Sequence, residues 1–101
     1  MTRMVNLSKP YTNQKNVTTS GTPVQLPSQD VPPGVLATIK AKDSNTGSIT
    51  VGYSSATALN TSGQNYVLRA GAARDWQVQN ISSIWIDATV SGEGVEITFE
   101  I

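Results

Sequence analysis

Glu96 and Glu100 stand four residues apart near the end of the chain, with Asp87 shortly before them, and paired carboxylates are what glycosidic bond cleavage requires. Such a pair must flank one cleft at about 5 to 10 Å. Residues four apart on an extended strand lie about 13 Å apart along the chain, which is too far. Asp87 could neighbour either glutamate across a strand pair, but acids on the outer face of a sheet ordinarily solubilise it and protect its edges. Asp43, Asn45 and Gly47 have the opening spacing of a calcium loop. That loop also needs glycine at its sixth position and a carboxylate at its twelfth, where this chain has Ser48 and Ser54.

Nucleophilic chemistry fares no better. The chain contains neither histidine nor cysteine, so its serines and threonines lack the usual base and no thiolate or imidazole metal site can form. The lysines sit in no apolar stretch that would depress their pKa. "AGAAR" and "GEG" have neither the spacing nor the following helix of a phosphate-binding loop. The expectation is a protein that is not an enzyme and carries no cofactor or metal.

Aromatic residues are the remaining candidates. Trp85 falls opposite Ile84 and Ile86 in the alternation, on the face that meets solvent in an isolated sandwich, and tryptophan is enriched at interface centres. Three readings stay open for it: a loop such as Thr22 to Pro33 covers it, it anchors a subunit or partner interface, or it stacks on a sugar, as Tyr66 could also do. Trp76 and Tyr53 fall on core faces and are expected to pack.

The 101 residues suit one domain, and seven basic residues balance seven acidic ones, so no global field points to nucleic acid or an anionic membrane. Arg3, Lys9 and Lys15 precede the first acid, Asp30, which makes a mildly basic arm before a mildly acidic body. The opening residues lack the apolar core of a signal peptide, and no stretch approaches the ~18 apolar residues of a membrane span. A soluble protein made in a cytosol is expected, and the Asn-x-Ser/Thr triplets read as accidents of composition.

The pattern of elements is all β. Residues 1–16 read as an extended arm and residues 17–101 as the domain. "VTTSGTPVQLP" suggests two short strands about Gly21, and the prolines confine strands there to short or edge positions. "VPPG" makes a corner. Val35, Ala37, Ile39 and Ala41 share one strand face, as do Ile49, Val51 and Tyr53, and the two segments are expected to form a hairpin about "DSNTGS". Ser54 to Gln64 reads as a polar loop, Asn65 to Ala70 as a strand, and "AGAARD" as a turn. Trp76 and Val78 share a face, then Ile84, Ile86, Ala88 and Val90. "SGEG" is expected to close a second hairpin onto Val95, Ile97, Phe99 and Ile101. The fold class this implies is a small antiparallel β-sandwich or jelly-roll-like barrel of about seven or eight strands.

The order of these landmarks, "VTTSGTPVQLP", "ATIKAKDSNTGSITVGYSSATA", "YVLRAGAARDWQV" and "ISSIWIDATVSGEGVEITFEI", resembles small β-sandwich virion proteins of tailed bacteriophages over roughly Val17 to Ile101. The resemblance implies a head decoration or cement protein that binds the major capsid protein on the exterior of the virion, after synthesis in the host cytoplasm. It also implies a homo-oligomer, dimer or trimer, with no nucleic acid or membrane partner. A carbohydrate-binding module on the particle and a tail or neck component are the alternatives. Candidate interface residues are Trp85, the arm residues Arg3, Lys9 and Lys15, and Arg69 and Arg74, whose turn is basic where the resemblance leads one to expect an acidic "AGE". The resemblance carries no catalytic residues.

Overall fold

A computed structural model describes residues 10–100. Its strands are β1 (Pro10–Asn16), β2 (Val24–Gln25), β3 (Ala37–Ala41), β4 (Ile49–Gly52), β5 (Tyr66–Leu68), β6 (Ala73–Trp76), β7 (Trp85–Ala88) and β8 (Gly94–Glu100). A one-turn helix, α1 (Ser55–Ala58), follows β4, and a 3₁₀ turn, Ile81–Ser83, precedes β7. The strands form two four-stranded sheets ordered β1-β8-β3-β6 and β2-β7-β4-β5, and every pair is antiparallel.

The pairs β1·β8, β2·β7, β3·β6 and β4·β5 are those of one long antiparallel ribbon folded over on itself. The ladders β8·β3 and β7·β4 then join its layers into two sheets. This connectivity is a jelly roll, one of the two architectures that the strand pattern implies.

Period-two alternation builds the core. Val95, Ile97 and Phe99 of β8 are buried while Glu96, Thr98 and Glu100 are exposed, and Ala37, Ile39 and Ala41 of β3 are buried with them. From the other sheet Ile49, Val51, Leu68, Ile86 and Ala88 join the same cluster, together with Val17, Leu26, Ile81 and Ile84 from the connections. The "VPPG" corner forms as expected, with Val35 N donating to Pro32 O at 3.1 Å and Gly34 at φ 82°.

Both expected hairpins are absent. β3 and β4 lie in different sheets, and so do β7 and β8, so "DSNTGS" and "SGEG" carry the chain across the sandwich rather than back along one sheet. The alternation shows which face of a strand is apolar, and that face is the same whether the next strand lies beside it or about 10 Å across the core. The arm also changes: Pro10–Asn16 is β1, paired with β8 along its whole length, so half of the expected arm belongs to the domain. Gly94 is the β8 residue opposite Asn16, and a Cβ there would run into the backbone of Lys15 and Asn16.

The crossing connections lock onto one another at one end of the sandwich. Glu93 accepts hydrogen bonds from Thr46 N at 2.6 Å, Gly47 N at 2.9 Å and Thr46 Oγ1 at 2.8 Å. Asn45, buried in the β3–β4 connection, donates through Nδ2 to Gly94 O at 2.9 Å and accepts from Gly94 N at 3.3 Å. Val17 N donates to Glu93 O at 2.8 Å, which ties the β1–β2 connection to the same junction. At the far end Asn80 caps the 3₁₀ turn, accepts from Gln29 N at 3.1 Å and donates to Asp30 Oδ1 at 2.9 Å.

Two outcomes follow for stability. Ile86 is fully buried in a central strand, so Ile86→Ala should cost about 2–5 kcal/mol in denaturant unfolding, and an unchanged midpoint would contradict the strand faces assigned above. The N–H groups of Thr46 and Gly47 hold the Glu93 carboxyl below the ordinary glutamate range. Its contribution is therefore fully present above about pH 5 and is lost as pH falls through the lowered folded-state value. Between about pH 5 and pH 3 the melting temperature of Glu93→Gln should fall less steeply than that of wild type. Parallel curves would show that this carboxylate is not part of the acid transition.

Candidate functional site

Sheet edges β5 and β6 run along the same side of the sandwich, and three aromatic rings meet there. Trp76 on β6 is buried, with Tyr53 just beyond β4 edge-on to it at 5.9 Å and 86°, and Tyr66 on β5 edge-on at 5.8 Å and 88°. Arg74 alternates in phase with Trp76 on β6, so both point to the core side of the strand, and at this open edge the long stem carries the guanidinium outward. Its Cζ lies 4.4 Å from the Tyr66 ring centre and 4.3 Å from that of Trp76. This is cation–π range to both rings.

These residues, with Thr57 and Gln64, line a cleft of about 200 Å³ against the end of β4. Tyr53 and Tyr66 are 59% and 46% exposed, so each keeps ring surface available beyond the cluster. The Trp76 indole N–H is buried without an acceptor in the described chain. Among the described residues the one ion pair joins Lys40 and Asp43 at 3.2 Å, so the Arg74 guanidinium faces no carboxylate there.

The rim depends on the β4–β5 connection, which folds back over the outer face of its own sheet. Ser54 caps α1: its Oγ accepts from Thr57 N at 3.1 Å while Thr57 Oγ1 accepts from Ser54 N at 3.1 Å. The helix lies directly on Gly52, where a Cβ would come within 2.7 Å of Ala58 N and of Thr57 Oγ1. Thr50 Oγ1 donates to Ala58 O at 2.6 Å. Further along, Ser62 Oγ donates to Thr57 O at 2.7 Å and Asn65 Nδ2 to Leu59 O at 2.9 Å.

Asp87 anchors this cover. Alternation puts it outward, as expected, yet it is fully buried rather than solubilising. Its carboxylate accepts from Gly21 N at 3.1 Å, Asn60 N at 2.8 Å and its neighbour Ala88 N at 2.8 Å. A buried carboxylate is sustained by such donors, and here they come from two separate connections.

The other expected positions divide. Trp85 is on the outer face, between Gln25 and Gly52 in register, but it is half-buried and not the exposed aromatic that alternation suggests. The Ser54–Asn65 segment lies on the outer face of that sheet, and within Thr22 to Pro33 the residues Val24–Gln25 are β2, paired beside β7. Trp76 is core, whereas Tyr53, expected to pack inside, is exposed. Lys15 is half-buried on β1 opposite Val95, and Arg69 is exposed after β5. Arg3 and Lys9 lie outside the described residues. Arg74 is a strand residue, not part of a turn. The period-two relation of Arg74 to Trp76 was visible in the sequence, but the arrival of Tyr53 and Tyr66 from the other sheet was not.

The cleft offers ring faces, a planar fork of N–H donors, and hydroxyl and amide groups, a set suited to holding a polar ligand. No group of three or more acidic residues among the described ones could hold a metal ion. Comparison with protein-family models, with curated proteins and with solved structures finds no match to the chain.

Asp87→Ala strands buried backbone donors and should cost about 2–4 kcal/mol. Amide exchange should accelerate at Asn60 and Gly21 before the central strands open. Unaltered exchange at both would show that the connections are held without the carboxylate.

Proposed function

We propose that the chain is a structural component of a tailed-phage particle that binds the outer face of the head shell and reinforces it. The order of sequence landmarks supports this reading, and one structural observation carries it. The two broad faces of the jelly roll are unequal. Among the described residues the β2-β7-β4-β5 face carries the Ser54–Asn65 segment, whereas Thr12, Gln14, Glu96 and Thr98 on the β1-β8-β3-β6 face are exposed. Across the latter face Thr12, Thr98, Thr38 and Asp75 stand in one register row, followed by Gln14, Glu96, Lys40 and Ala73 in the next. Two rows of mostly polar and charged side chains make a surface that can lie against another protein without exposing an apolar patch when alone.

β1 adds a second element: among the described residues it is an edge strand, and an edge strand presents backbone groups to which a neighbouring chain can add. Residues 1–9 immediately precede β1 in the sequence. A protein that binds the assembled shell and not its free subunits stabilises the shell by mass action, and needs no chemistry to do so. Jelly rolls serve in viral capsids and in lectin-type domains alike, so the fold alone does not select between these uses.

The test is location. Particles of the phage that encodes the chain should contain it in many copies by quantitative mass spectrometry, and gold-labelled antibody should decorate the heads. Removing residues 1–9, which leaves β1 in place, should weaken rebinding to depleted heads at least tenfold. Label on the tail or neck overturns the head assignment, and absence from purified particles overturns the proposal as a whole.

A further inference from the structure

We infer that the Tyr53–Tyr66–Trp76–Arg74 cleft is a binding site for an anionic sugar, a pyranose end group bearing a carboxylate or sulfate. The site is independent of where the protein sits on a particle.

Four observations lead to this class of ligand. The partly exposed rings of Tyr53 and Tyr66 provide the apolar surface on which the C–H face of a pyranose stacks. Arg74 is held against two rings and has no carboxylate partner among the described residues. A guanidinium pre-organised in this way presents its donor fork to a pair of oxygens on a carboxylate or sulfate at little further cost in side-chain freedom. Thr57 and Gln64 on the rim supply hydroxyl and amide groups that match sugar hydroxyls. Trp76 Nε1 is a buried donor with no acceptor in the described chain, in a residue that itself lines the cleft.

Size and charge exclude other occupants. At about 200 Å³ the cleft is below the range of drug-sized ligands, which fits one ring better than an extended chain. A quaternary ammonium group needs the cation position over the aromatic rings, and Arg74 already fills it. The Ser54–Asn65 segment is held in place by its own hydrogen bonds and by Asp87, so the cleft is largely built before a ligand arrives.

The experiment is a glycan array followed by titration of the intact chain. The array carries oligosaccharides ending in N-acetylneuraminic acid, glucuronic acid or sulfated galactose, beside neutral glucose- and galactose-ended counterparts and a single-stranded oligonucleotide. Titrations are followed by indole fluorescence in a Trp85→Phe background, so that Trp76 reports alone. Acid-ended probes should bind at least about tenfold more tightly than neutral ones. Arg74→Gln should reduce them to the neutral level, while Tyr53→Ala and Tyr66→Ala should weaken acidic and neutral probes alike. Arg74 and Tyr53 are exposed, and matching melting curves will separate lost binding from lost folding. Equal binding of acidic and neutral probes, full binding by Arg74→Gln, or retention of the oligonucleotide alone each overturns the inference. So does failure of every glycan to bind the wild-type chain.

Discussion

The face-to-face burial of two sheets governs everything else in this protein. A chain of this size has one core, and here β8 and β3 supply one wall while β7 and β4 supply the other. Because the ribbon is folded over, sequence neighbours such as β3 and β4 face each other across that core, and strands remote in sequence, such as β1 and β8, pair by hydrogen bonds. The connections must therefore cross at the ends of the sandwich. Their polar backbone cannot be left unsatisfied beside an apolar interior, which accounts for the hydrogen-bond junctions around Glu93, Asn45 and Asn80.

The connection between β4 and β5 is different because it stays within one sheet. It does not need to span the core, so it folds onto the outer face. Gly52 leaves room for α1, and Asp87 supplies acceptors for the backbone that arrives there. The consequence is an asymmetry among the described residues: the Ser54–Asn65 segment lies on one outer face, and the other is a polar ladder. The aromatic cleft arises at the margin of the same cover, where Tyr53 leaves β4 and meets residues of β5 and β6. The polar ladder and the aromatic cleft are thus different parts of the surface.

Much of the fold was legible in advance. Alternation identifies the buried residues of β3 and β8, proline content confines strands of the first third to short or edge positions, as β2 is, and the all-β class with seven or eight strands fits the eight described. The candidate site was legible only in pieces. Tyr66 and Arg74 were picked out separately, one as a stacking residue and one as a basic turn residue, while Tyr53 was assigned to the core. The capping signal at Ser54 was weak because threonine at 57 stands where glutamate or glutamine is usual, and so α1 passed as plain loop.

What the sequence determined by itself is which side of each strand is apolar, because that depends only on residue type and a backbone repeat of two. It also determined the absence of imidazole and thiol chemistry, because composition alone settles it. What tertiary structure decided is which strands pair, which outer face is covered, and which rings meet. Hydrogen-bond pairing uses backbone groups common to every residue but proline, so the alternation of apolar and polar side chains does not by itself choose a partner. Trp85 and Asp87 make the point together. Both face outward by alternation, yet one is half-buried and the other fully buried, and the donors that hold Asp87 arrive from connections distant in sequence.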